Sequence, residues 1–138
     1  MSQLTNSLAG LGAFALYFAL SIFFLLLFKF VYIRCTPYDE WKLVKEEQNV
    51  AAGLTLSGAF IGYSLAIAGA ATNSVNLIDF AIWGVVALIA QLLAFAIVRF
   101  GFMPKLVDRI QANEIPAGIV MGSMSIAIGL LNAACMTY

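Results

Sequence analysis

Four long apolar runs alternate with polar segments along the chain, at residues 8–33, 50–71, 77–98 and 115–136. Each reaches the roughly 20 residues that a helix needs to cross a hydrocarbon core about 30 Å thick. Glycines and prolines inside the runs do not argue against helices, because a span in lipid must satisfy its own backbone hydrogen bonds. The short alternating segments of a membrane β-barrel are missing. The pattern predicts an all-α, four-helix transmembrane bundle in which residues 1–138 form a single transmembrane domain.

Composition changes the picture only by removing alternatives. The chain is 63% hydrophobic and 10% charged, whereas a soluble domain carries charge at about a quarter of its positions. Seven basic and seven acidic residues leave no net charge. Nothing therefore steers the chain toward nucleic acid, and the lipid bilayer is its expected surrounding.

The placement of the bases is more informative than their number. Lys29, Arg34, Lys42 and Lys45 flank the link between runs one and two. Arg99, Lys105 and Arg109 flank the link between runs three and four. The N-terminus, the turn at 72–76 and the C-terminus carry none. The positive-inside rule predicts cytoplasmic links and non-cytoplasmic termini. The first run has no Lys or Arg before it and is too long for a cleaved signal, so it reads as a permanent helix. On this topology Cys35 and Cys135 lie at opposite faces, about 30 Å apart, beyond the reach of a disulfide. Each reads as a small packing residue.

Sliding the chain by 65 residues brings halves of about 8–72 and 73–137 into register. Leu27 then meets Leu92, Phe30 meets Phe95, Arg34 meets Arg99, and Ala52-Gly53 meets Ala117-Gly118. The pattern predicts two parallel copies of one helical hairpin. Runs one and three are bulky; runs two and four are rich in small residues, with Gly53, Gly58, Gly62, Gly118, Gly122 and Gly129 as candidate packing positions. Small faces allow close backbone approach where lipid removes the hydrophobic drive. Runs two and four are expected at a packed centre, within one subunit or between subunits of a homo-oligomer.

Each link reads as a short amphipathic helix at the membrane surface. In the first, Thr36 is a good N-cap, Pro37 suits the first helical position, and Asp39 falls at capping-box spacing. Tyr38, Trp41 and Val44 then recur on one face. The second link repeats this from Pro104 with Leu106, Val107 and Ile110. Trp41 suits an aromatic belt, and Arg34 and Arg99, at helix C-termini, complement the dipole and can reach lipid phosphates. All three are expected as interfacial anchors. The link at 36–48 could also dock a cytoplasmic protein.

Chemistry at membrane depth is sparse. Asp79, Gln91 and Asn132 are the candidate polar positions. Asn76 and Asp79 have capping-box spacing, so Asp79 reads first as a helix cap; Gln91 and Asn132 read as makers of interhelical hydrogen bonds. The twelve-residue gap from Asp79 to Gln91 turns a helix about 120° beyond whole turns, so the two cannot share one straight stripe. Lack of any His excludes Ser–His and Cys–His pairs. Clustered metal ligands and a Gly-rich phosphate loop are missing too. The chain is expected not to be an enzyme and to need no cofactor.

The segment from Thr36 to Lys45 and the ending Asn132 to Tyr138 resemble the YjfL type of small bacterial inner-membrane proteins, a domain-of-unknown-function family. Residues 49–53, 58–63 and 91–99 support the resemblance, which covers nearly the whole chain. Ala66 departs from it, standing where similar sequences can carry a proline. The resemblance implies a multi-pass plasma-membrane protein without an established activity, and no active-site residues. The company its relatives keep implies a membrane-stress module. Two functions follow as expectations: an oligomeric scaffold or docking component, or a small ion channel or transporter.

Overall fold

The computed structural model describes residues 2–36 and 40–136. All regular structure among them is helical: α1 (Ser2–Cys35), α2 (Glu40–Lys45), α3 (Val50–Asn73), α4 (Leu77–Ile97), α5 (Leu106–Gln111) and α6 (Ile115–Cys135). Four of these helices are long and apolar enough to cross a membrane: α1, α3, α4 with its π-helical extension, and α6. α2 and α5 lie in the two long links.

The apolar runs locate α3, α4 and α6 closely, but α1 is longer than its run. It begins at Ser2, because residues 2–7 contain no proline and continue the helix past the apolar boundary. Its 34 residues span about 51 Å at 1.5 Å per residue, well beyond a hydrocarbon core of about 30 Å.

The expected N-cap Thr36 lies at the end of α1. Thr36 closes α1: its N–H donates to the Tyr32 carbonyl at 3.0 Å, and its hydroxyl donates to the Ile33 carbonyl at 3.0 Å. The described part of the short helix of this link is α2, Glu40–Lys45; Pro37, Tyr38 and Asp39 lie outside the described residues. At the end of α4 the chain widens into a π-helical turn, Val98–Phe102, closed by the Met103 N–H on the Val98 carbonyl at 2.7 Å. Pro104 explains the stop: the residue before a proline is driven out of the α region, and Met103 is extended, with φ −138° and ψ 91°.

The centre of the bundle is the parallel pair α3 and α6, which make by far the most extensive contact. α4 packs on both, and α1 packs on α3 and α4. Glycine decides how closely the central pair approaches. A Cβ on Gly58 would strike the backbone of Gly122, one on Gly118 the backbone of Ala51, and one on Gly129 the backbone of Gly62. At Gly122 the obstacle would be the Leu54 carbonyl oxygen, at 2.6 Å. Backbone-to-backbone contact of this kind replaces the hydrophobic drive that lipid removes.

α1 docks differently, through rings. Phe24, Phe28 and Tyr32 are its only buried side chains. Phe28 stacks on Tyr63 of α3 at 4.5 Å between centroids, and Tyr17 stacks on Phe80 of α4 at 5.3 Å. Gly84 of α4 makes room for Phe24, since a Cβ there would lie 2.7 Å from the Phe24 ring. Residues 2–16 of α1 touch so little that every one is exposed.

Candidate functional site

Polar chemistry concentrates where α3, α4 and α6 meet. Gln91 of α4 and Ser125 of α6 are both fully buried. The Gln91 amide Nε2 donates to the Ser125 backbone carbonyl at 3.0 Å. Gly62 is what admits the amide, because a Cβ there would lie 2.9 Å from Gln91 Nε2 and would meet the Ser125 carbonyl sooner still. Ser125 is about 15 Å along α6 from its first residue, so the cluster lies near mid-membrane. The Gln91 Oε1 and Ser125 Oγ atoms are buried and have no hydrogen-bond partner among the described residues. One helical turn or more away, Tyr63 of α3 donates its hydroxyl to the Gly84 carbonyl of α4 at 3.1 Å, and Thr55 donates to the Ala51 carbonyl at 2.9 Å.

No side chain in this cluster is a carboxylate, amine or thiol. An amide, two hydroxyls and a phenol can hold helices in register and can bind a neutral or polar group by hydrogen bonds.

The other expected polar positions stay apart from it. Asn76 caps α4, its side chain accepting from the Asp79 N–H at 2.8 Å. The Asp79 carboxylate accepts from the Val75 N–H at 3.0 Å, so it reaches back before the helix. Asn132 is half-buried near the far end of α6, and among the described residues its Nδ2 is buried without a hydrogen-bond partner. The structure therefore does not bring Asp79, Gln91 and Asn132 together.

Of the candidate packing glycines, Gly58, Gly62, Gly118, Gly122 and Gly129 all line the central contact. Gly53 does not: a Cβ there would meet nothing within 4 Å. Its repeat counterpart Gly118 faces Ala51 directly, so aligned positions are not equally enclosed. Gly69, against Ala133, and Gly84, against Phe24, also mark close approaches. The i, i+4, i+7 run of small residues Gly62, Ala66 and Gly69 on one helical face could have found Gly69; nothing in the sequence marks Gly84.

At the basic end, aromatic rings hold three cations. Lys29 Nζ sits 3.8 Å from the centre of the Trp41 ring, tying α2 to α1. The Arg34 guanidinium lies 4.6 Å over Phe30, and that of Arg99 lies 5.1 Å over Phe100. In the second link Arg109 pairs with Glu114 at 3.4 Å and donates to the Met103 sulfur at 3.1 Å. Asn49 joins the links: it caps α3 by accepting from the Ala52 N–H at 2.8 Å and donates to the Ile110 carbonyl at 2.8 Å. Asn113 adds a bond from the Ala51 N–H at 3.1 Å. Cys35 and Cys135 are free and exposed.

Comparison with known proteins agrees with the membrane architecture. A family model described as Domain of Unknown Function (DUF350) matches residues 6–136. The chain is 42% identical over 131 residues to the UPF0719 inner membrane protein YjfL of Escherichia coli strain K12, covering 95% of this chain and 98% of that protein. The same figures, 42% identity and 95% and 98% coverage, hold for the protein of that name from Escherichia coli O157:H7. No solved structure matches significantly.

Proposed function

The chain belongs to the DUF350 family and is a multi-pass inner-membrane protein; from that premise we propose that it is a non-enzymatic membrane scaffold that assembles with copies of itself and offers its basic end to partners. The carrying observation is the unequal use of the helices. α3, α4 and α6 spend their small and polar residues on one another, while residues 2–16 of α1 leave every side chain exposed. Phe14 and Phe18 stack on each other at 5.3 Å on that outward face, a preformed aromatic surface. A helix so weakly held by its own bundle is suited to packing against a neighbouring copy. A role within a membrane-stress module is part of the same reading.

In this reading the bundle is a duplicated hairpin with a pseudo-two-fold axis along the membrane normal. Several details support that. Gln48 and Asn113, at φ 51° and 61°, are the non-glycine residues with left-handed backbone, and they are equivalent at the 65-residue offset. So are the N-caps of α3 and α6, Asn49 and Glu114. An open groove between these helices is lined by Leu54, Gly58 and Ile61 and by their counterparts Ile119, Ser123 and Ile126. α2 and α5 would then be interfacial helices on the cytoplasmic side, with both termini across the membrane. The link at 36–48 would be the docking surface for a cytoplasmic protein.

Cross-linking tests the assembly directly. With Cys35 and Cys135 replaced by serine, single cysteines at Leu11 or Phe18 should give disulfide-linked dimers in native membranes, while a cysteine at buried Ala59 should not. Monomers at both α1 positions, together with a monomeric mass in mild detergent, would remove the scaffold reading. One observation favours a second reading, a small channel or transporter: the orphan Gln91 Oε1 and Ser125 Oγ at mid-membrane. Reconstituted vesicles without any solute or ion flux would exclude it.

A further inference from the structure

We propose that the basic end of α1 binds the phosphate headgroup of an anionic phospholipid, with Lys29 and Arg34 as its ligands and Phe30 and Leu26 as the bed for an acyl chain. These four residues and Ile33 line one cleft of about 330 Å³. They recur at helical spacing on a single face, with Leu26 toward mid-membrane, Arg34 at the end, and Lys29, Phe30 and Ile33 between them. Lys29 and Arg34 are five residues apart, about 7.5 Å along the axis, so two cations reach one headgroup region at the depth where hydrocarbon meets water.

The cations are held but not neutralised. Trp41 carries the Lys29 ammonium at 3.8 Å, and Phe30 carries the Arg34 guanidinium at 4.6 Å. A cation on the face of a ring keeps N–H donors free at its edges. Neither makes an ion pair among the described residues, unlike Arg109, which pairs with Glu114. The comparable cleft beside Lys105 and Arg109 differs at this point, since Glu114 already occupies the Arg109 Nε edge. Charge complementarity selects an anion at Lys29 and Arg34, and the apolar wall beside them, Leu26, Phe30 and Ile33, selects one that carries hydrocarbon. A soluble phosphate would leave Leu26 and Phe30 unused. The inference goes beyond the scaffold reading and needs only that α1 crosses the membrane.

The test is lipid retention. Full-length protein in nanodiscs or mild detergent is offered equal amounts of phosphatidylglycerol and phosphatidylcholine, and retained lipid is counted by native mass spectrometry. Unaltered protein should retain phosphatidylglycerol preferentially. Lys29→Gln with Arg34→Gln should cut that preference about twenty-five-fold, since each cation near an anionic headgroup is worth about fivefold. Lys105→Gln with Arg109→Gln should leave it unchanged, and Lys29→Arg should preserve it. Trp41→Leu keeps the charge yet frees Lys29, and should weaken retention partially. Should the double variant fail to fold, thermal melting of the unaltered protein decides: phosphatidylglycerol should raise Tm, and phosphatidylcholine and soluble glycerol phosphate should not. Equal retention of both lipids, equal loss in the control variant, or stabilisation by glycerol phosphate alone would each overturn the proposal.

Discussion

Glycine in this bundle has two meanings, and the backbone around each one tells them apart. At Gly62 a methyl group would collide with the Ser125 carbonyl and crowd the Gln91 amide. At Gly53 it would enter open space. Gly62→Ala should therefore destabilise by about 1–3 kcal/mol, the usual cost of overpacking, and should also loosen the Gln91 bond to α6. Gly53→Ala should be neutral or stabilising by up to about 1 kcal/mol, as expected where alanine replaces glycine inside a helix. Thermal melting in one detergent compares the two, and equal losses would mean that helix contact does not distinguish them. Gln91 itself is held by one hydrogen bond and carries an unbonded oxygen. Interhelical bonds in membranes average about 0.6 kcal/mol, and removing an orphan acceptor offsets part of that. Gln91→Leu should shift stability by less than about 1 kcal/mol, a smaller effect than Gly62→Ala. Packing outweighs polarity at this junction.

Helix ends carry the next level of organisation. α3 begins at Asn49, whose side chain caps its own helix and also bonds the Ile110 carbonyl of α5. Loss of a cap costs about 1 kcal/mol, and here a link between distant segments goes with it. Asn49→Ala should lower stability by about 1–2 kcal/mol and increase amide exchange in both links; exchange confined to α3 would show that the cross-link contributes nothing. α4 begins at Asn76, with Asp79 reaching back to Val75. An asparagine at 79 keeps an oxygen for that N–H, so Asp79→Asn should cost less than about 1 kcal/mol and leave vesicles as impermeable as before. A selective flux in the unaltered protein that vanishes in Asp79→Asn, with folding preserved, would argue for the channel instead.

At the scale of the whole molecule, orientation and assembly follow from where charge and exposed apolar surface lie. All seven Lys and Arg residues lie at one end, and moving them across a membrane during insertion is opposed. A reporter fused after Tyr138 should be active only if it functions outside the cytoplasm. Cytoplasmic activity there would overturn the orientation argued from the charges. The exposed half of α1 has a different reason to be solved by context. Lipid is as apolar as the leucines and phenylalanines it would touch, so an exposed apolar face in a bilayer carries no penalty and does not demand a partner. A neighbouring copy must therefore win by fit, as α3 and α6 do within one chain.

Much of this was readable from the order of the residues. Four runs of sufficient length in lipid must be helices, because no other open structure satisfies their backbone. The one-sided bases, the small residues of α3 and α6, and the Asn76–Asp79 cap followed from local chemistry alone. Local chemistry did not separate Gly53 from Gly118, though the two align, because enclosure depends on which face meets a neighbour. It placed Gln91 on an interhelical bond but could not name Ser125 as its acceptor, since that carbonyl comes from a helix distant in sequence. Nor did it find Gly84 beneath Phe24 or the second bond of Asn49. The sequence by itself determined the helices and the end at which their charges gather, since those depend on each segment's own surroundings. Only the tertiary structure decided which surfaces touch, because close contact is a property of two backbones together.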